Sequence, residues 1–466
     1  MNGRTVWKKN DTAVVRIEDI GRDGQGIGHA EGYTLFVKNT VPGDLAVVRI
    51  VKAGKKYGYG RLMEIKEPSS FRVEEACPVA GKCGGCQLQM LEYAEQLRWK
   101  EKKVREDLER IGGFGNLLQE PIAGMEKTFR YRNKAQFPVG RDKNGEITAG
   151  FYAGRTHAII PCEDCLLGPE ENSVLLKAVL TWMKTAHVEP YDETAGSGLV
   201  RHVLIRKGFR SGEFHVCLVI NARKLPDSDL LIRTLRAAEP QHLTGISFSC
   251  NTSRGNTIMG NRSQVLWGAP WLTDALCSER FGLSVTYRIS PDSFYQVNPV
   301  QTEKLYEKVL EYADLHGTET VADLYCGIGT ISLFLARNAG KVIGVEIIPE
   351  AVSDAKENAV LNGIDNAEFY AGKAEEIIPR LYEQGLTADV IVVDPPRKGC
   401  DQKLLETIAR MKPERLVYVS CDPATLARDL QWLGMHGFQI EKLQPFDQFP
   451  MTVHVESVVK LTRAGL

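Results

Sequence analysis

Between Glu319 and Glu346 the chain passes through an apolar strand, a Gly-x-Gly turn, the opening of a helix and a second apolar strand ending on an acid. The first strand and turn read Glu319-Thr320-Val321-Ala322-Asp323-Leu324-Tyr325-Cys326-Gly327-Ile328-Gly329-Thr330, and a helix is expected from there to about Asn338. The second strand is Lys341-Val342-Ile343-Gly344-Val345-Glu346. Strand, tight turn, helix and parallel strand in this order are the first unit of a doubly wound α/β sheet, in which ligands bind at the carboxyl ends of the strands. Glu346, 19 residues after Gly327, stands where a carboxylate can accept from both ribose hydroxyls of an adenosine.

Two ligand classes compete for such a site. A nicotinamide dinucleotide calls for a third glycine so that the pyrophosphate can approach the helix N-terminus, and position 332 is not glycine. Asp323 just before the turn repels phosphate but suits the ammonium and sulfonium of S-adenosylmethionine. The methyl donor is therefore the expected cofactor. A further strand, Ala367-Glu368-Phe369-Tyr370-Ala371-Gly372-Lys373, places a turn where the adenine edge is read, with Lys373 contributing through its backbone.

At 466 residues the chain is long for one core, and three domains are expected, over 1–68, 69–290 and 291–466. A formal charge of −1 gives no global basic signature, so affinity for nucleic acid must come from local patches. No apolar run approaches the length needed to cross a bilayer and no secretory leader is evident, so a cytoplasmic protein is expected. Eleven cysteines in that compartment point to metal binding, catalysis or packing, because disulfides are rare there.

Three reactive residues end what read as three separate strands: Asp394 in Asp394-Pro395-Pro396-Arg397, Cys421 in Ser420-Cys421-Asp422-Pro423, and Glu456 in Val453-His454-Val455-Glu456-Ser457. Asp-Pro-Pro is shared with enzymes that methylate exocyclic amines, in which the next residue is often an aromatic stacking on the base. Here it is Arg397. Amine methylation has no use for the thiol of Cys421, whereas activation of C5 of a pyrimidine needs a thiolate that adds to C6 and a base that removes the C5 proton. Free thiols ionise near pH ~8.5, so the cationic cofactor or Arg428 is expected to help activate Cys421. His454 competes with Glu456 as the base, since strand alternation puts both on one face.

From Asp11 to about Lys66 short β-rich runs alternate with glycine turns, the spacing of a small antiparallel barrel. Arg49, Lys52, Lys55, Lys56, Arg61 and Lys66 face a single acid, Glu64, and interleave with Tyr57 and Tyr59, a plausible RNA-backbone face or a charged edge that blocks strand pairing. Downstream, Cys77, Cys83 and Cys86 crowd three thiols into ten residues, with Gly84 and Gly85 freeing the backbone. Cys165, heading an apolar segment, is the best fourth ligand and Cys162 a substitute; spacing alone accepts either zinc or a [4Fe-4S] cluster. In the central region, Phe129 to Val139 alternates basic and aromatic residues at strand period, and 201–207 with 213–220 read as a hairpin.

The first 66 or so residues resemble a TRAM domain, and almost the whole chain resembles the TRAM-bearing, iron-sulfur 23S rRNA (uracil-5-)-methyltransferases, most closely from Ser290 onward through Phe294-Tyr295-Gln296-Val297-Asn298 and Ser420-Cys421-Asp422-Pro423. The resemblance implies an α/β Rossmann-like class I methyltransferase domain behind a TRAM/OB-like barrel and a central α+β RNA-binding domain. It implies Cys421 as nucleophile, Glu456 as general base and Asp394 as a base or cofactor contact. Gln296, Tyr325, Gly327, Thr330 and Glu346 fall at cofactor positions, although Thr330 stands where some members have Asn. A [4Fe-4S] cluster on Cys77, Cys83, Cys86 and Cys165, with zinc the alternative, and phosphate contacts from Arg132 and Lys134 follow on the same ground. The implied partner is a single-stranded loop of 23S rRNA, met by a monomer. Transfer RNA, guanine N2 methylation and a non-catalytic ribosome assembly factor are the alternatives.

Overall fold

The computed structural model describes residues 7–115, 117–154, 156–260 and 263–463. The chain divides into two compact units, one of Met1–Lys102, Tyr152–Ile160 and Phe449–His454, the other of Lys103–Phe151, Pro161–Gln448 and Val455–Leu466.

In the first unit β1 (Thr12–Ile20), β2 (Gly26–Ala30), β3 (Tyr33–Val37), β4 (Leu45–Ala53) and β5 (Tyr57–Glu67) close into a barrel in the order β1-β2-β3-β5-β4. Strict alternation along β1 turns Ala13, Val15 and Ile17 inward, where they meet Leu35, Val37, Ala46, Val48 and Ile50. Closure brings strands so near that a Cβ at Gly28 would sit 2.2 Å from the Arg16 carbonyl oxygen, which only glycine avoids. Asp44, fully buried, fastens the end of the barrel: it accepts from the backbone of Val41 (2.8 Å) and Ser69 (3.0 Å) and from Arg72 at 2.6 and 3.1 Å. Burial alone would raise its pKa, but the Arg72 guanidinium and the two backbone donors outweigh it and hold the carboxyl below the usual range. Helix α1 (Tyr93–Asp107) begins in this unit, and its Trp99 indole donates to the Ile20 carbonyl at 3.0 Å. The helix ends its α-helical part at Asp107 and continues as a wider π-helical turn, Leu108–Gly112.

A seven-stranded sheet, most of it in the second unit, is made by β6 (Lys134–Arg141), β7 (Ile147–Tyr152), β8 (Ile159–Pro161), β9 (Val200–Lys207), β10 (Phe214–Ile220), β11 (Leu243–Cys250) and β12 (Ser263–Gly268), ordered β12-β11-β10-β9-β6-β7-β8. Helices α2 (Glu171–Thr185) and α3 (Ser228–Ala238) cover one face with Leu175, Val179, Trp182, Leu231 and Leu235. The expected β9–β10 hairpin is present. The strand expected from Phe129 starts only at Lys134, because Arg130 takes a left-handed φ of 58° and residues 130 and 132 donate instead to the carbonyls of Leu166 and Leu167.

After the hairpin β13 (Leu272–Ser278) and β14 (Leu283–Ile289) come α4 (Pro299–Ala313), β15 (Thr320–Leu324), α5 (Thr330–Ala336), β16 (Lys341–Glu346), α6 (Pro349–Leu361), β17 (Ala367–Ala371), α7 (Ala374–Glu383), β18 (Val390–Val393), α8 (Gln402–Met411), β19 (Arg415–Ser420), α9 (Pro423–Met435), β20 (Phe438–Phe446) and β21 (Glu456–Arg463). The sheet order is β17-β16-β15-β18-β19-β21-β20, parallel from β17 through β19 and antiparallel at β21 and β20. Strands covered on both faces must be apolar throughout. Accordingly Val321, Val390, Val392, Val417 and Val419 pack toward α4, α5 and α6, while Ala322, Leu324, Ile391, Val393 and Leu416 pack toward α7, α8 and α9. Each of the valine, leucine and isoleucine side chains, fully buried, contributes roughly 1.5–3 kcal/mol. Among the described residues no helix is long and apolar enough to cross a membrane.

Candidate active site

Strand order reverses between β15 and β18, which opens a crevice at their carboxyl ends. Ladder pairing aligns Leu324 with Val345 and Val393, Val393 with Tyr418, and Ser420 with Ser457. Asp394, Cys421 and Glu456 therefore leave adjacent strand ends along one edge of the sheet, with Tyr325, Gly327 and Glu346 on the neighbouring strands.

Each is fixed by local chemistry. Pro395 and Pro396 lack the N–H that would extend β18 and push Asp394 into extended backbone. Cys421 sits between the end of β19 and a well-capped helix: Asp422 accepts from the backbone of Ala424 (3.0 Å) and Thr425 (3.1 Å), with Pro423 in the first turn. Such a cap stabilises the helix start by about 1 kcal/mol. Glu456 opens β21 and is 6% exposed. His454 lies before that strand, so the alternation expected to place it beside Glu456 does not extend to it.

The turn after β15 is strained and open. Tyr325 adopts φ 67°, costly for a side chain with a Cβ, and Gly327 and Gly329 follow at 56° and 81°. A Cβ on Gly327 would meet nothing within 4 Å, so the space above the turn is free for a ligand. Glu346 accepts from the Gly327 N–H (3.1 Å) and the Ile348 N–H (3.0 Å), which orients its carboxylate there. Thr330 is held by Tyr306, whose hydroxyl donates to Oγ1 at 2.8 Å. Lys373 is exposed at the start of α7 and pairs with Glu376 at 3.1 Å. Gln296 stands two residues before the Asn298 cap of α4, its backbone oxygen receiving the Asn133 amide at 3.0 Å.

The electrostatics are those of a site short of cations. Burial pushes Asp394 up to about 6. Burial, then the Asp394 charge, raises Glu456 to about 8, with Arg397 acting the other way. Burial, then Glu456 and Asp394, drives the Cys421 thiol up to about 12, again opposed by Arg397. Asp323 rises to about 7 through burial, Asp394 and Glu346, despite the Ser332 hydroxyl that donates to it. Its other oxygen, Oδ1, is buried with no hydrogen-bond partner. An orphaned carboxylate oxygen beside two further unpaired acids fits a ligand carrying ammonium and sulfonium charge. Arg428, expected to activate the thiol, is committed elsewhere: it clasps Asp429 at 2.6 and 2.8 Å and donates to the Lys398 carbonyl at 2.9 Å.

Tyr306 and Ser332 enter the site without having stood out in the sequence, and Arg397 had been marked only as the non-aromatic residue after Asp-Pro-Pro. Tyr306 reaches Thr330 from a helix 24 residues away, a contact with no local signal. Ser332, one turn into α5 and nine residues after Asp323, does carry one.

The cysteine segment lies in the first unit. Cys77, Cys83 and Cys86 are half-buried, Cys83 accepts from the Gly85 N–H at 3.3 Å, and its thiol is raised by burial against that N–H, with the Cys77 charge adding to it. Cys165 belongs to the second unit, where Arg130 grips its carbonyl (3.1 Å) and the Asp164 carboxylate (2.6 Å). Among the described residues no group of three or more His, Cys, Asp or Glu side chains is gathered as a metal site. Lys134 pairs with Arg206 across the β6–β9 ladder; burial, then Arg206 and Arg132, lowers its amine to about 7.

Residues 268–464 match the tRNA (uracil-5-)-methyltransferase family, and residues 6–63 match the TRAM domain. An uncharacterised RNA methyltransferase of Halalkalibacterium halodurans is 48% identical over 97% of both chains, and one of Clostridium tetani 45% identical over 98% of both. The chain belongs to the RNA (uracil-5-)-methyltransferase family. Among solved structures, the tRNA (uracil-54, C5)-methyltransferase of Pyrococcus abyssi, in complex with S-adenosyl-L-homocysteine, superposes with a TM-score of 0.77 at 27% identity, covering 97% of this chain and 99% of its own. As a member of this family the protein is an RNA methyltransferase that uses S-adenosylmethionine, with a class I methyltransferase fold behind a closed five-stranded barrel.

Proposed function

We propose that this enzyme methylates C5 of a uridine in a single-stranded loop of 23S rRNA, through a covalent bond between Cys421 and C6. The observation that carries the reading is the emergence of Asp394, Cys421 and Glu456 from adjacent strand ends beside the open Gly327 turn on which Glu346 is oriented. Gln296, Tyr325, Gly327, Thr330 and Glu346 would hold the cofactor, with Asp323 at its cationic end and the backbone of Lys373 near the adenine. Bound S-adenosylmethionine supplies an electrophilic methyl group.

Uracil C5 is too weak a nucleophile to take that group unaided. The Cys421 thiol loses its proton, and the sulfur's electron pair forms the S–C6 bond, moving the C5=C6 π electrons toward C5 and O4. C5 then takes the methyl group. Glu456 removes the remaining C5 proton, the C5=C6 bond re-forms, and the thiolate leaves. Asp394 keeps the cofactor and Glu456 oriented. The target base must leave its stack, at a cost of about a few kcal/mol that a loop reduces. Arg132 and Lys134, in the central of three modules (1–68, 69–290 and 291–466), would take phosphates of the same strand.

The barrel and the four cysteines favour ribosomal RNA. We assign Cys77, Cys83, Cys86 and Cys165 to a [4Fe-4S] cluster that organises the RNA-binding part of a monomer; the Gly85 N–H donated to the Cys83 sulfur supports a thiolate there, and the Cys77 charge that raises the Cys83 thiol marks the two sulfurs as neighbours. Anaerobic purification should give four iron and four sulfide per chain, about the content of one such cluster; stoichiometric zinc without sulfide would end that assignment. A transfer-RNA substrate is the second reading, favoured by the activity named for the Pyrococcus abyssi enzyme. Mass-spectrometric mapping of 5-methyluridine in cells with and without the gene decides: loss from a large-subunit site supports the first reading, and loss only from transfer RNA supports the second.

A further inference from the structure

Two tyrosine hydroxyls converge on one residue of the cofactor turn. Tyr287 on β14 donates to the Thr330 carbonyl at 2.9 Å, and Tyr306 on α4 donates to Thr330 Oγ1 at 2.8 Å. Both tyrosines are buried, and the Tyr306 ring packs edge-on against Phe334 with 5.5 Å between centroids. Thr330 itself is half-buried and opens α5 directly after Gly329, beside the free space above Gly327. One tyrosine fixes its backbone and the other its side chain.

A threonine hydroxyl has one proton and two lone pairs. Because the Tyr306 proton fills a lone pair of Oγ1, the Thr330 proton has to be given elsewhere, and no described residue accepts it. Within a helix such a proton returns to the carbonyl of the preceding turn. Thr330 has no preceding turn, and the Cys326 carbonyl already accepts the Gly329 N–H at 2.9 Å. Ser332, two residues on, behaves differently: its hydroxyl donates to Asp323 and is spent inside the protein. Tyr306 keeps its own proton, since burial pushes its pKa far up and the charges of Asp394, Asp323 and Glu456 add to the rise. Those three acids suit the ammonium and sulfonium of the cofactor and repel its carboxylate. A neutral donor held by a buried tyrosine suits the carboxylate.

We propose that Tyr306 is a positioning residue for the cofactor: by filling one lone pair of Thr330 Oγ1 it turns the Thr330 proton toward the carboxylate at the methionine end of S-adenosylmethionine. The proposal rests on the assignment of Thr330 to the cofactor and goes beyond it by naming the group that Thr330 meets and the residue that orients it.

The test is calorimetric binding of two ligands to the full-length enzyme without RNA: S-adenosylhomocysteine, and its decarboxylated analogue, which keeps the amine. Tyr306→Phe retains the ring that packs on Phe334 and removes only the hydroxyl. It should weaken S-adenosylhomocysteine by roughly tenfold, the scale of one hydrogen bond to a charged group, and leave the analogue unchanged. Thr330→Val should weaken S-adenosylhomocysteine at least as much, and adding Tyr306→Phe to it should cost nothing more. In Thr330→Asn, whose amide donates without help, Tyr306→Phe should have no effect. A Tyr306→Phe enzyme with wild-type affinity beside a weakened Thr330→Val overturns the proposal, as does an equal loss for both ligands, which marks a displaced turn instead of an oriented proton. Thr330→Val binding like the wild type removes Thr330 from the cofactor site, so failure of the underlying assignment is seen apart from failure at Tyr306.

Discussion

Asp44 at the end of the barrel is buried, as are Asp323 and Glu456 at the edge of the catalytic sheet, with Asp394 half-buried beside them, and the two places treat their acids in opposite ways. Asp44 receives Arg72 and two backbone donors, and its pKa is lowered. Asp323, Asp394 and Glu456 form no ion pair with any described residue, and their pKa values are raised to about 7, 6 and 8, with Arg397 offsetting the rise at Glu456 only in part. A buried carboxyl that serves the fold is satisfied, whereas one that serves chemistry is left incomplete for a ligand to finish. The two groups also tie stability to pH with opposite sign. Asp44 adds stability above the ordinary carboxylate range, and that contribution is lost as pH falls through its lowered folded value. The site acids remove stability as pH rises from the ordinary range, about 4, through their folded values of about 6 to 8.

Several substitutions set the two regions against each other. The largest effect is expected at Glu456→Gln, which should cut methyl transfer by about 100- to 10,000-fold while keeping or raising thermal stability above neutral pH, measured by calorimetry alongside turnover. A large fall in melting temperature would place Glu456 with Asp44 instead. Next, Asp44→Ala should cost about 3 kcal/mol of folding stability, read from denaturant midpoints, with turnover per folded molecule retained. Turnover lost ahead of stability would break the contrast from the other side. Smaller is the pH response: Glu456 must be ionised to act as base, so kcat/KM should climb at least about tenfold per unit below its pKa of about 8 and rise less steeply above it, where only the Cys421 thiol is still ionising. A profile flat from pH 6 to 9, or one falling with pH, rejects Glu456 as the base. Smallest is Tyr418→Phe, which removes one of several donors to Asp429 and should cost about 1 kcal/mol of stability, measured by thermal melts.

How much of this was legible in the sequence depends on whether a feature is local. The β15-turn-α5 unit, the Asp-Pro-Pro strand end and the Cys-Asp-Pro helix start are each encoded within a dozen residues, because strand patterning, proline and a capping aspartate act on their own neighbourhood. Glycine spacing and alternation likewise announced a barrel. Failures came where tertiary bonds override period. Residues 129–133 alternate like a strand, yet a left-handed Arg130 and its grip on the 164–168 turn leave them outside the sheet. Arg428 looked free in the sequence and is consumed by its neighbour Asp429. Arg397 had drawn notice only for not being aromatic, since nothing in one sequence tells a partnered arginine from an unpartnered one. The joining of Tyr306 to Thr330 and of Asn133 to Gln296 depends on packing between distant segments and had no trace in either one alone.

The most direct test of the central claim is the intact mass of the Glu456→Gln enzyme after incubation with large-subunit ribosomal RNA and S-adenosylmethionine, followed by nuclease digestion and peptide mapping. The account predicts a 5-methylated uridine nucleotide attached to Cys421 and no adduct in the Cys421→Ala, Glu456→Gln double variant. An adduct that survives removal of Cys421, or 5-methyluridine made by Cys421→Ala at the wild-type rate, would contradict it.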